Sequence, residues 1–319
     1  MTKATFPAAT AIAIAIAAAA HASEDIADQY PGSPLYSKPV EFIPGVFSAI
    51  GATAPPTYEN TGHNNNLSFI VTEDGVVVVN GGAAYVLARA LHREIKAVTD
   101  QPVVLVINEN GQGHAVLGNN YWAEQGVPIL AHEDAAAIVE ELGGTILEQM
   151  KGYNRDKAEG TEVKVPDITF TDEYDASRGG VTIRVMDLGP AHSPGDVSVW
   201  LPDQSLVIAG DIAFHERMPP IFGEIPTRDW LETWETAFEP LGATYVIPGH
   251  GHPTNMAQVR RYTRDYLTWI RARIREHLDD GGDLAEAYYV DQSPFAHLDT
   301  FEELATRNAG RVYEEMEWE

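Results

Sequence analysis

Five side chains able to hold a cation or move a proton stand where apolar runs give way to loops: Glu109, His114, His192, Asp211 and His250. The run VVLVI at 103–107 leads into NENGQGHAVLGN, which carries Glu109 and His114. GPAHSPGD carries His192, IAGD ends an apolar run at Asp211, and VIPGHGHP carries His250. Imidazoles and carboxylates brought together suit metal binding or acid–base work, and a rigid strand end is where an α/β scaffold fixes such groups. Taken singly each is weak, because a lone strand-end histidine is more often structural and an aspartate after glycine is usually a turn residue. Their order and their Gly/Pro framing carry more than any one of them.

The surrounding pattern supplies the elements that must position them. Strands are expected in VEFIPGVFSAI and on both sides of the Glu73-Asp74-Gly75 turn. Residues 83–98 have helical periodicity, and 103–107 is a continuous apolar strand. Helices are expected at 117–125 and 133–150, strands over 166–185, and a second hairpin turning at Pro202-Asp203-Gln204. A helix at 228–238 and the strand ATYVIPGHG follow, then helices at 256–278 and 301–316. Strands followed by helices, twice, without strict β-α-β alternation, predict an α/β sandwich in which two mixed sheets face each other with helices outside.

Composition narrows the partners. The 319 residues suffice for one large domain. With 47 acidic against 21 basic residues the net charge is −26, which repels nucleic acid and anionic lipid, so neither is an expected partner. The absence of cysteine excludes disulfides, thiolate catalysis and cysteine-ligated metal. Lys3, the apolar run 11–20 and Ala20-His21-Ala22 read as a signal peptide over 1–22, so a periplasmic or secreted protein is expected, with a single domain over 23–319 that includes C-terminal helices. No other run is long and apolar enough to span a bilayer. A small-molecule substrate is the expected partner, and a homodimer is left open.

Order and framing together resemble the metallo-β-lactamase-fold hydrolases over residues 44–252. GPAHSPGDVSVWLPDQSLVIAGD and VIPGHG are similar to the family's third-histidine, bridging-aspartate and final-histidine segments. FIVTEDGVVVVNGG is similar to its first hairpin, and HAVLGN to an exported branch that includes sulfur-oxidation and quinoprotein-relay members. The resemblance implies a four-layer αββα sandwich. It also implies that the loop after 107, normally H-x-H-x-D-H, is degenerate here: aligned on His114, it puts Glu109 at the first histidine, Gly111 at the second and Gly113 at the aspartate. Asn80 stands where the family usually has an acidic residue supporting a ligand. By the same implication one metal position keeps His192 and Asp211, with Glu109 as a substitute carboxylate. The other keeps His114, Asp211 and His250, and loses only the loop aspartate. Two full sites are not supported.

Two histidines and a carboxylate with an open position are a usual catalytic arrangement. They suit one divalent ion, zinc first, with iron or manganese as alternatives. Such an ion would lower the pKa of bound water from ~15.7 towards ~7, for attack on an ester, lactone, amide or thioester carbonyl. Asp211 would orient the nucleophile, and Glu109 would ligate or act as general base. In this reading the two glycines leave room for a water or a substrate group. β-Lactam hydrolysis is not expected, since the two-metal arrangement is lost. The alternative is a metal-free, non-catalytic periplasmic binding or accessory protein in which Glu109 merely pairs with a histidine. Around the site, His63 and Asn66 belong either to an Asn-rich turn, the reading favoured here, or to a loop that contacts substrate at the mouth, and FHERMPPIFGEI reads as a substrate wall, a dimer contact or core.

Overall fold

The computed structural model describes residues 29–319, so the leader expected at 1–22 lies outside the described residues. Twelve strands form two sheets. The first is mixed and runs in spatial order β1 (Val40–Ile43), β2 (Val46–Ala49), β3 (Leu67–Thr72), β4 (Gly75–Val79), β5 (Val103–Ile107), β6 (Ile129–His132) and β7 (Ile168–Phe170). It is antiparallel from β1 to β4 and parallel from β4 to β7. The second holds β8 (Glu173–Asp175), β9 (Arg184–Met186), β10 (Ser198–Leu201), β11 (Leu206–Phe214) and β12 (Tyr245–His250), with only the β11/β12 pair parallel.

The strands read as apolar runs because both faces of each sheet are covered. Val77, Val79, Leu105, Ile107 and Leu130 of the first sheet meet Val185, Val199, Leu206, Ile208 and Ile247 of the second in one buried cluster. The outer face of the first sheet takes α1 (Tyr85–Val98), whose Leu87, Ala88, Leu91 and Ile95 fall on one helical stripe. Beside it lie α2 (Gly113–Val116), α3 (Asn119–Glu124) and α4 (Glu133–Asn154). The outer face of the second sheet takes α5 (Thr227–Thr233), α6 (Met256–Val259), α7 (Asp265–Asp279), α8 (Leu284–Ala287) and α9 (Phe301–Met316). This is the four-layer αββα sandwich expected from the sequence.

The helix expected at 228–238 passes into a π turn at Trp234–Phe238, and two further helices differ from their sequence pattern, each for a local reason. The run 117–125 starts only at Asn119, because Gly118 passes so close to Gly81 that a Cβ there would lie 2.1 Å from its carbonyl oxygen. The run 256–278 is interrupted by a π turn over Arg260–Arg264. Within that turn Thr263 accepts from the Phe214 amide at 2.8 Å and donates to its carbonyl at 3.2 Å, clamping the end of β11. A π bulge at such a point is a common mark of a functional contact.

The inter-sheet layer sets the spacing of the strand ends, so trimming it should be costly. Leu105→Ala is expected to lower unfolding free energy by about 2–5 kcal/mol, with the denaturant dependence unchanged, as read from urea unfolding of metal-depleted protein.

Candidate metal centre

The C-terminal ends of β5, β11 and β12 meet, and the buried Asp211 carboxylate is their common point. Around it stand His250 Nε2 at 3.3 Å from Oδ1, with His114 Nε2 at 3.5 Å and His192 Nδ1 at 3.6 Å from Oδ2. Glu109 Oε1 lies 3.4 Å from His114 Nε2. Glycine makes this crowding feasible: a Cβ on Gly249 would fall 2.1 Å from Asp211 Oδ1.

Each ring is held from behind. His250 is stacked on Phe214, with centroids 5.1 Å apart, and its Nδ1–H donates to the Asn64 carbonyl. That bond leaves Nε2 with its lone pair towards Asp211, the tautomer a ligand needs. Arg217 Nη1 stands 3.1 Å from the same Nδ1. His192 is wedged among Phe214, Phe222 and Trp230, and its Nδ1 meets Gln112 Nε2 at 3.1 Å. Asn110 Nδ2 donates to Asp211 Oδ2 at 3.2 Å.

Protonation is strongly biased. Burial opposes ionisation of Asp211, yet His250, His114 and His192 outweigh it and hold the carboxyl well below the usual range. Burial, then the Asp211 charge, push Glu109 up. Burial alone would lower His114, but the nearby Glu109 and Asp211 carboxylates leave it raised. His192 and His250 are both lowered to about 4, burial being the main cause. Asp196, hydrogen-bonded to Ser193, is pushed up to about 8 by burial and by Asp211.

These residues fit a divalent ion. Donor atoms of His114, Asp211 and His250 all lie within 4.8 Å of one another. The 3.3 and 3.5 Å contacts are long for N–H···O bonds. They match the ligand–ligand edge of a tetrahedral site with ~2.1 Å bonds, about 3.4 Å. Glu109 Oε1, His114 Nε2, His192 Nε2 and Asp211 Oδ1 are buried with no hydrogen-bond partner among the described residues. His192 stands outside the converging trio, although it touches Asp211.

Known proteins resemble the chain in sequence over part of its length and in fold. The family model for the metallo-β-lactamase superfamily matches residues 114–252. The type 2 metallo-β-lactamase of Bacteroides fragilis is 24% identical over 195 residues, covering 57% of this chain and 70% of that protein. The chain has the metallo-β-lactamase fold, and its residues 114–252 are similar to that superfamily. Among solved structures, a metallo-β-lactamase from Pontibacter korlensis superposes with a TM-score of 0.60 at 19% identity, over 72% of this chain and 98% of that one. A stereoselective inverting sec-alkylsulfatase from Pseudomonas sp. superposes with a TM-score of 0.64 at 16% identity, over 87% of this chain and 50% of that one.

Two sequence expectations need correction. The glycines at 111 and 113 do not leave room for water or substrate. A Cβ on Gly111 would meet the Ala135 carbonyl and Ile138 at 2.9 Å, and one on Gly113 would meet Ile146 at 2.9 Å, so α4 fills the space. His63 and Asn66 do not reach the mouth. His63 is buried, accepting from the Tyr36 amide, and Asn66 Nδ2 ties the Pro248 and Gly251 carbonyls behind His250. Asn80, as expected, gives no histidine an acidic support: at φ 74° it accepts from the Glu109 amide and donates to the Asn66 carbonyl.

The sequence reading passed over Asn110, Gln112, Asp196 and Arg217. Asp196 was in view within SPGD, but nothing in its spacing distinguishes a buried carboxylate from a turn residue. The amides Asn110 and Gln112 carry no titratable group, so the pattern of strand-end acids and imidazoles does not mark them.

Because α4 occupies the space of the missing ligands, restoring them should fail. Gly111→His is expected to cost about 1–3 kcal/mol through overpacking and to add no metal, measured by denaturant unfolding and elemental analysis of the same preparation. A second ion per chain at undiminished stability would show that the loop is open.

Proposed function

We propose that this chain is an exported hydrolase that works with one divalent ion, zinc first, on a small carbonyl substrate such as an ester, lactone or thioester. The observation that carries the reading is the convergence of His114, Asp211 and His250, whose facing atoms are too far apart for good hydrogen bonds and well spaced to share an ion. When bound, the ion would polarise the carbonyl and activate water.

The chain's own groups do the rest. Asp211 orients the nucleophile, because Asn110 and the surrounding imidazoles fix its plane. Glu109, with its pKa raised by burial, accepts the proton from water at Oε1 and returns it to the leaving group. Phe222 and Pro220, from the loop after β11, wall a cleft of about 540 Å³ that opens on His114, His192 and His250. Of the readings open for FHERMPPIFGEI, the wall fits these two residues, and core fits Phe214, Met218 and Ile221.

One observation favours the metal-free alternative. His114 lies within 3.5 Å of both Glu109 and Asp211, so the carboxylates have a cationic neighbour without an ion, as a binding or accessory protein would require.

Elemental analysis of protein purified without chelator separates the two. The hydrolase reading expects about one ion per chain, lost in His114→Ala; the alternative expects none. Stoichiometric metal in a variant lacking His114, Asp211 and His250 together would overturn the ligand assignment.

A further inference from the structure

The cleft has a second end that the metal centre does not explain. Its walls are two helices. Ile146, Met150 and Tyr153 project from one face of α4, and Thr300, Glu303, Leu304 and Arg307, spaced at i, i+3, i+4 and i+7, come from the start of α9. α9 lies outside the residues 114–252 matched by the superfamily model, so this wall is not part of the segment that carries the metal-ligand candidates.

Two features of α9 stand out there. The first is Arg307. Arg271, Arg273 and Arg275 of α7, and Arg311 one turn further along α9, each meet a glutamate at 3.0 Å or closer. Arg307 is exposed on the cleft and is in no ion pair among the described residues, on a protein of net charge −26. The second is Thr300. It holds a left-handed conformation, φ 64°, and its buried hydroxyl has no hydrogen-bond partner among the described residues. A non-glycine residue in that region and an unused buried hydroxyl both carry a cost, and such features gather at ligand sites.

We propose that Thr300, Leu304 and Arg307 form a distal subsite, and that the substrate is an apolar acyl chain bearing one anionic group at the end remote from its scissile carbonyl. The scissile end of this inference rests on the hydrolase reading above. Ile146, Met150, Phe222 and Leu304 contact the chain, the Arg307 guanidinium pairs with the anion, and the Thr300 hydroxyl donates to it. Glu303 shares the cleft and is a turn away from Arg307, which favours a single negative charge over a polyanion. The acidic surface otherwise repels such a ligand, so a local cation is what admits it.

The test compares p-nitrophenyl esters in matched pairs: the monoesters of succinate, adipate and suberate against butanoate, hexanoate and octanoate. Wild-type protein should favour the anionic member of at least one pair in kcat/KM, and Arg307→Ala should reduce that anionic-to-neutral ratio roughly tenfold. Arg307→Glu should invert the preference, and Arg307→Lys should restore part of it. In parallel, calorimetric titration with suberic acid monoamide reads binding without turnover, and its Kd should rise roughly tenfold in Arg307→Ala. Ester hydrolysis with a ratio indifferent to Arg307 overturns the subsite and leaves the hydrolase reading standing. Absence of hydrolysis with Arg307-dependent binding of the monoamide does the reverse. If neither the ratio nor the monoamide Kd responds to Arg307, the subsite is rejected.

Discussion

A carboxylate with almost no solvent, on the second strand of the smaller sheet, is the constraint around which this molecule is arranged. Burying a charge such as that of Asp211 costs several kcal/mol unless neighbours replace the lost water (about this much per ion in real proteins). The neighbours here are three imidazoles and the Asn110 amide. They come from both sheets, so the carboxylate is satisfied only when the sandwich is closed. Much of the local sequence serves that closure. Gly249 has no side chain to collide with Asp211, Phe214 supports the His250 ring, Thr263 clamps the last residue of β11, and Asn66 ties the turn around Gly249 and Gly251.

The degenerate loop has a structural counterpart. With glycine at 111 and 113, α4 packs against the loop backbone through Ala135, Ile138 and Ile146. The space beside these two glycines is taken up by helix–loop contact. The same helix then presents Ile146 and Met150 to the cleft, so losing metal-binding side chains and gaining an apolar wall are two consequences of one approach. Glu109 remains as the single polar side chain of the former ligand row that still points at His114.

The fold was legible in the sequence because its signals are long and redundant. The run 103–107 and the helix 301–316 coincide with their apolar periods, and both hairpins turn where Asp-Gly and Pro-Asp-Gln place them. The elements misjudged were those interrupted by a tertiary contact, Gly118 against Gly81 and Thr263 against Phe214, which no local period can report. At the site, the convergence of His114, Asp211 and His250 followed from strand ends and family likeness. What could not be read was the space around them. A glycine in a sequence does not say whether it leaves a hole or admits a helix, and an asparagine such as Asn66 or Asn80 does not say whether it faces ligand or backbone.

The far wall of the cleft and the rim of the metal centre behave as one unit for a covalent and hydrogen-bonded reason. The segment leading into α9 runs beside the segment leading out of β11: Met218 N–H donates to the Asp299 carbonyl at 2.9 Å and Asp299 N–H to that of Glu216 at 2.9 Å. Thr53 donates its hydroxyl to the Asp299 carboxylate at 2.6 Å, adding the strand-end loop of the first sheet. Arg217, between those two backbone bonds, is the residue whose guanidinium touches His250. The distance from His250 to Thr300 is therefore set by backbone ladders and not by an untethered loop, and groups held this way keep their spacing to fractions of an ångström. A cleft of fixed length selects ligands by length, and the added C-terminal helix gives this scaffold a means to do so that its β-sandwich alone lacks.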